Sequence, residues 1–236
     1  SKAAAGDKFA FAVKQDGTLW AWGANDRGQL GDGTAIDRLS PVKVADGIAD
    51  TNAYYALTTN GRMLEIDNGF AAAATGVSRI VDFNLAIMTD GTLWKCSVKY
   101  DDDYITGDVI DAWSYNDNMY YAIKNDGSLW DIYYRSNETK LAEGFESLSG
   151  YLVWTYGADD YLMLIDTKND LYNGRTEWDE DGKYINLKKI AADVCFVATS
   201  TVTDYEGTHF CIDTSGQLYA FGKNYYGVFG KGRTAG

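Results

Sequence analysis

Residues 16–34, DGTLWAWGANDRGQLGDGT, carry five glycines and two tryptophans. Glycine-rich loops cradle phosphate when they join a strand to a helix N-terminus, where free N–H groups point at the anion. Here both flanks are rich in strand-forming residues, so the spacing favours tight turns. His209 is the sole histidine and directly precedes a strand-like FCI, with no serine or second ligand in view. A catalytic triad or a histidine-built metal site needs partners that this residue lacks. Cys96, Cys195 and Cys211 show no CxxC spacing and imply neither a zinc site nor a disulfide framework. Cys96 and Cys211 fall in apolar columns and are expected to be buried. Two acidic runs, YDDDY at 100–104 and EWDEDGKY at 177–184, offer oxygen ligands of the kind calcium takes. Neither has the D-x-D-x-D-G spacing, and no pair is set apart for glycoside hydrolysis. No cofactor is implied.

Positioning these residues falls to a chain of 236 residues, long enough for a substantial core. The chain is 46% hydrophobic, with 34 acidic against 21 basic residues and a net charge of -13. That balance is unsuited to neutralising phosphates, so no nucleic-acid partner is expected. No apolar run is long enough to span a membrane. With one proline and 25 glycines, the turns must rest on Gly, Asn and Asp.

A twelve-residue pattern recurs six times, at 11–22, 55–66, 85–96, 121–132, 163–174 and 210–221. It begins with a large apolar residue (Phe11, Tyr55, Leu85, Tyr121, Met163, Phe210), then a mostly small one, then an aliphatic one. After a polar turn come Leu19, Met63, Leu93, Leu129, Leu171 or Leu218 and, in most copies, an aromatic. Asp-Gly and Asn-Gly at the centre signal β-hairpins because the tight turn needs positive φ. Asn169 replaces Gly in the fifth copy and is the next best residue for that conformation. The leucine column is spaced by 44, 30, 36, 42 and 47 residues, the size of a four-stranded propeller blade. Further strands are expected at 41–46, 78–83, 108–113 and 187–194. The AAAG at 3–6 is read as lacking a strand. Trp20 and Trp22 are expected to pack between blades. No helical periodicity is sustained. The fold class is therefore all-β, a β-propeller of six blades, with seven, one of them degenerate or missing, as the alternative. A single domain covering 1–236 is expected, complete with one short blade or excised from a longer chain.

The stretch LWAWGANDRGQLGDGT followed by SPVKV resembles the repeat of RCC1-type (regulator of chromosome condensation) propellers, through Trp22, Gly23, Asn25, Gly28, Gln29, Leu30, Gly31, Gly33, Thr34, Pro41 and Val42. A decayed copy is FGKNYYGVFGKGR at 221–233. The resemblance implies a propeller. The middle four repeats lack the glycine-rich tail. The short, irregular repeats resemble divergent bacterial members, which implies an extracytoplasmic or cell-surface place in a bacterium, against which three unpaired-looking cysteines stand. The nucleotide-exchange and nucleosome-binding roles known in the family are not carried over, because the chain is acidic.

In an up-and-down blade alternate connections emerge at opposite ends. The short Asp-Gly turns share one end. The other collects tyrosines and acids: Tyr100, Asp102, Tyr104, Tyr115, Tyr133, Tyr134, Trp178, Asp179, Tyr205, Tyr225 and Tyr226. Tyrosine and tryptophan are enriched at binding hot spots. The function expected is a non-enzymatic, monomeric binding module that recognises a protein, favourably a basic one, through this aromatic, acidic set. A carbohydrate-binding propeller is the runner-up, and a lyase or hydrolase using a central channel the third reading.

Overall fold

The computed structural model describes residues 2–82, 85–96, 103–116, 118–133, 137–152, 160–180, 182–200 and 208–222. All regular elements among them are strands, grouped in six antiparallel sheets. The chain divides into two compact units, Ser1–Asp108 and Val109–Gly236. In the first unit, blade 1 is β1 (Lys2–Ala5), β2 (Phe9–Val13), β3 (Leu19–Gly23) and β4 (Arg38–Ala45). Blade 2 is β5 (Ile48–Thr51), β6 (Tyr55–Thr58), β7 (Arg62–Glu65) and β8 (Ala71–Thr75). Blade 3 is β9 (Val77–Asp82), β10 (Leu85–Met88), β11 (Leu93–Lys95) and β12 (Asp103–Thr106). In the second unit, blade 4 is β13 (Val109–Asn116), β14 (Met119–Lys124), β15 (Leu129–Tyr133) and β16 (Glu138–Ala142). Blade 5 is β17 (Phe145–Leu152), β18 (Asp160–Asp166), β19 (Leu171–Asp179) and β20 (Gly182–Ala191). Blade 6 has three described strands, β21 (Val194–Ser200), β22 (Thr208–Asp213) and β23 (Leu218–Gly222).

The six sequence copies are the second and third strands of the six blades, and the reason for each column is visible. The small column lies directly opposite the aromatic one: Ala12 faces Trp20, Ala86 faces Trp94 and Ala122 faces Trp130. An alanine there leaves room for the indole across the strand pair. The large first residue and the leucine point into the cores, where Phe11, Leu19, Leu85, Leu93, Tyr121 and Leu129 are fully buried. Cys96 and Cys211 are buried as expected.

The hairpin turns repeat one hydrogen-bond pattern. Asp16 Oδ1 accepts from the N–H and hydroxyl of Thr18, and Thr18 Oγ1 accepts from Trp20 Nε1 at 2.9 Å. Asp90, Thr92 and Trp94 repeat it, as do Asp126, Ser128 and Trp130. Trp20 is thus tied to its own turn, with Lys14 Nζ 4.3 Å above its ring. The equivalent Trp94 of blade 3 packs against a core cluster that includes Leu57, Met63 and Ala74 of blade 2. Gly17 has φ 78°, and Asn169 takes the same left-handed conformation at φ 63°.

Two expectations change. The alanine-rich AAAG does not lack a strand: Ala3 to Ala5 belong to β1, held by backbone pairing in which Lys2 faces Val13. The single strand expected at 187–194 is the end of β20, a bend, and the start of β21. Residues 41–46, 78–83 and 108–113 fall largely in β4, β9 and β13.

Candidate functional site

Each blade has two ends. One carries the hairpin turn between its second and third strands and the link to the next blade. The other carries the connections from first to second and from third to fourth strand.

The turn ends are spent on joining blades. In the first unit the Gly17 carbonyl accepts from Ile48 N (2.9 Å), Gly47 from Thr59 N (2.9 Å), Gly61 from Val77 N (2.9 Å) and Gly76 from Thr89 N (2.8 Å). In the second, Gly127 accepts from Phe145 N (3.0 Å), Gly144 from Thr167 N (3.2 Å), Asn169 from Val194 N (2.8 Å) and Asp193 from Thr214 N (2.7 Å). Each of these four turns therefore holds the entry of the next blade, and each of these four links holds that blade's turn. The link residue is left-handed in every case described: Gly47, Gly76, Asp108, Gly144 and Asp193. Backbone groups fixed this way are not available to a partner.

The opposite ends differ from blade to blade. In the first unit they form a cleft of about 160 Å³ lined by Asp7, Phe9, Arg27, Gln29, Ala53, Tyr54 and Asp67. Asp7 comes from the β1–β2 connection, Tyr54 from β5–β6, Asp67 from β7–β8, and Arg27 and Gln29 from the glycine-rich tail after β3. Phe9 and Gln29 are buried and form its floor, while Tyr54 keeps 45% of its surface exposed.

Asn25 organises the tail. It is fully buried. Its Nδ2 donates to Asp32 Oδ1 (3.0 Å), Thr34 O (3.1 Å) and Ile36 O (3.1 Å), and its Oδ1 accepts from Leu30 N (3.0 Å). Asp32 also accepts from Arg38 Nε at 2.6 Å. Burial works against ionisation of Asp32, but hydrogen bonds from Thr34, Arg38 and Asn25 outweigh it and hold the carboxyl down to about 2. Leu30 is driven into the core of blade 1 together with Ile66 and Phe70 of blade 2. A Cβ on Gly31 would lie 2.9 Å from both Ile66 and Phe70, so the tail can approach blade 2 only without one. The tail the sequence presented as turns is therefore both a plug between two blades and one wall of the cleft. Gln29 Oε1 accepts from Arg27 N (2.9 Å) and its Nε2 donates to Asp26 (3.1 Å), which fixes that wall.

In the second unit the corresponding ends carry Tyr133, 53% exposed at the end of β15, and Tyr184, whose hydroxyl donates to Glu177 at 2.7 Å. Beneath them Lys183, its side chain 4% exposed, reaches from β20 into blade 4. Its Nζ lies 3.0 Å from Asp131 Oδ2 and donates to the Tyr121 hydroxyl at 2.7 Å. Trp113 stacks on Tyr121 with ring centres 6.1 Å apart.

Of the tyrosine-and-acid set read from the sequence, Tyr104 and Tyr133 are exposed. Tyr104 also packs edge-on against Trp94 at 5.6 Å. Tyr115, Trp178 and Asp179 lie near strand ends on this side, in β13 and β19. Tyr100, Asp102, Tyr134, Tyr205, Tyr225 and Tyr226 fall outside the described residues. Asp7, Arg27, Gln29, Tyr54 and Asp67 were missed; the loop rule that selected the others selects them too, once applied to the first two blades. His209 is buried beside Phe221, and burial pulls its imidazole down to about 4, leaving it neutral near pH 7.

Comparison with known proteins agrees with this architecture. Two models of the Regulator of chromosome condensation (RCC1) repeat match residues 16–49 and 1–29. No curated protein sequence matches the chain. Among solved structures, Prp20p from Saccharomyces cerevisiae is similar with a TM-score of 0.67 at 14% identity, covering 98% of this chain and 73% of its own. Human WBSCR16 is similar with a TM-score of 0.63 at 15% identity, covering 99% and 79%. BBS1N, solved in complex with ARL6DN, follows at 0.52 and 12% identity, covering 90% and 72%. Six four-stranded or three-stranded blades, an Asn25-centred repeat tail at the start of the chain and these fold likenesses make the protein an RCC1-like repeat β-propeller.

Proposed function

We propose that this propeller is a non-enzymatic binding module that recognises a basic protein partner through the blade ends opposite the Asp-Gly turns. The observation that carries it is the division of labour between the two ends: turn-end carbonyls are committed to joining blades, while the opposite ends set exposed tyrosines beside carboxylates. Tyr54 stands with Asp7 and Asp67, and Tyr184 with Glu177. A rigid scaffold with variable loops at one end suits recognition. Tyrosine supplies contact area at low entropic cost, and the excess of acidic residues steers a cationic partner. Protein partners are on record for structurally similar propellers, Gsp1p and histones for Prp20p and ARL6DN for BBS1N.

The test is panning of a displayed peptide library against the purified chain. Enriched sequences should be basic, and their retention should fall steeply between low and physiological salt. Tyr54→Ala with Tyr133→Ala should remove most of that retention while circular dichroism stays unchanged. The triple variant Tyr133→Ala, Tyr134→Ala, Trp178→Ala should act likewise. Enrichment that ignores salt and both variants would overturn the proposal, and specific retention on a glycan array instead would replace the partner class.

A further inference from the structure

Three asparagines in the chain directly precede a glycine: Asn60, Asn68 and Asn173. Asparagine is among the thermally labile side chains. Its weak point is the next backbone nitrogen, which can attack the carboxamide carbon, and glycine, having no side chain, hinders that approach least.

The fold treats the three pairs differently. Gly61 N donates to Thr58 O at 3.1 Å, and Asn60 Oδ1 accepts from Thr58 Oγ1 at 2.6 Å, so both reacting groups are engaged. Gly174 lies inside β19, paired with Leu162 on one side and Leu187 on the other, and a Cβ on it would lie 2.5 Å from Ile185. Asn68 and Gly69 sit in the β7–β8 connection, and both are exposed. A Cβ on Gly69 would meet nothing within 4 Å. Its N–H has no acceptor among the described residues, whereas most backbone donors are committed. The Asn68 carboxamide makes one bond, Nδ2 to Glu65 Oε2 at 3.0 Å, which leaves its carbonyl unengaged.

We infer that Asn68 is a site of self-modification, in which Gly69 converts the amide to an acid. The Gly69 nitrogen loses its proton to solvent and bonds to Asn68 Cγ. The carboxamide nitrogen takes up a proton and leaves as ammonia. Water then opens the resulting cyclic imide at either carbonyl, giving aspartate or isoaspartate. One water is consumed, one ammonia is released, and nothing is oxidised or reduced. Both products place a carboxylate beside Asp67, which lines the cleft of the first unit. Isoaspartate also adds a methylene to the backbone just before a turn in which Gly69 and Phe70 are left-handed, at φ 65° and 59°, and Ala71 N donates to Asn68 O at 3.3 Å. Phe70 packs against the cluster that holds Leu30, so shifting this turn loosens the docked tail. The inference stands on the turn's geometry and does not depend on the binding reading.

The test is incubation of the folded chain at pH 8, followed by digestion and mass spectrometry that reads the amide-to-acid exchange at each of the three asparagines, with the aspartate and isoaspartate forms separated by chromatography. Asn68 should convert at least tenfold faster than Asn60 or Asn173. In urea the three rates should converge, because each asparagine precedes a glycine. In the isoaspartate fraction the Leu30 amide should exchange at least tenfold faster than in the unconverted chain, while Asn68→Asp, which adds the charge without the methylene, should leave it protected. Conversion of Asn60 or Asn173 as fast as Asn68 in the folded chain would overturn the site, as would the same ranking in urea. Equal Leu30 exchange in the isoaspartate and unconverted forms would overturn its link to the tail.

Discussion

Replacing Asn25 tests how the repeat tail is held. Its carboxamide bonds Asp32, Thr34, Ile36 and Leu30, and so ties together four points of the tail, of which Asp32 is also held by Thr34 and Arg38. Asn25→Ala deletes both the donor and the acceptor. Leu30 is fully buried, so its N–H cannot turn to water while the tail stays docked, and the Ile36 carbonyl loses its amide donor. Ile36 is exposed and its carbonyl can turn to water, so at about 1–3 kcal/mol for a buried group left unsatisfied the Leu30 N–H alone costs about 2 kcal/mol. That is large against the roughly 5–15 kcal/mol that holds a domain together. It need not unfold the blade, because the tail can detach locally. The expected signature is therefore loss of amide protection at Leu30 before any change in blade strands, with a drop in the urea midpoint.

A second substitution separates hydrogen bonding from volume. Asn25→Asp is isosteric but turns the NH₂ donor into an acceptor facing Asp32 and two carbonyls. It should destabilise at least as much as Asn25→Ala at pH 7. Stability within 1 kcal/mol of the wild type for Asn25→Asp, with Leu30 still protected, would refute the hub role.

Three other outcomes follow from buried or strained groups. Lys183→Met leaves Asp131 largely buried without its cation and should cost about 3 kcal/mol, while Lys183→Met with Asp131→Asn should recover most of it; strictly additive losses in urea unfolding would show that the two charges do not depend on each other. His209 is held near pKa 4 by burial, below its ordinary 6.5, so the unfolded chain takes up a proton that the folded chain refuses. Stability is therefore full above about pH 6.5 and falls as the pH drops towards 4, by roughly 2 kcal/mol after allowing for partial solvation. His209→Gln should flatten that part of the stability profile in unfolding titrations, and an unchanged slope would count against it. Asp193→Gly removes the left-handed penalty at φ 57° and should stabilise by about 0.5–1 kcal/mol, read as a higher melting temperature.

How far the sequence carried the fold depends on where its signals were local. The hairpins were legible because Asp-Gly turns and the alternation around them act within twelve residues. Asn169 was legible for the same reason. The bend between β20 and β21 was not, because its left-handed residue is Asp193 rather than glycine, so the apolar run from 187 to 194 looked continuous. β1 was hidden because alanine has little strand preference; pairing with β2 supplies what propensity does not. The exposed place of Tyr133 at the end of β15 was legible from loop topology alone. The Lys183–Asp131–Tyr121 group was not, since its members are brought together from strands of two blades. Nor was the cleft around Tyr54, which takes residues from four separate connections and needs the Asn25 network to hold its wall.

The same physics explains why some columns persist across the six copies and others do not. A turn carbonyl at a left-handed residue must meet the next blade's first N–H, so Asp-Gly or its Asn169 substitute recurs. A leucine must be covered by a small fourth-strand residue, so alanine or threonine recurs opposite it. The other blade ends differ from copy to copy: a glycine-rich plug follows β3, a long hairpin joins β19 to β20, and tyrosines stand beside acids at Tyr54 and Tyr184.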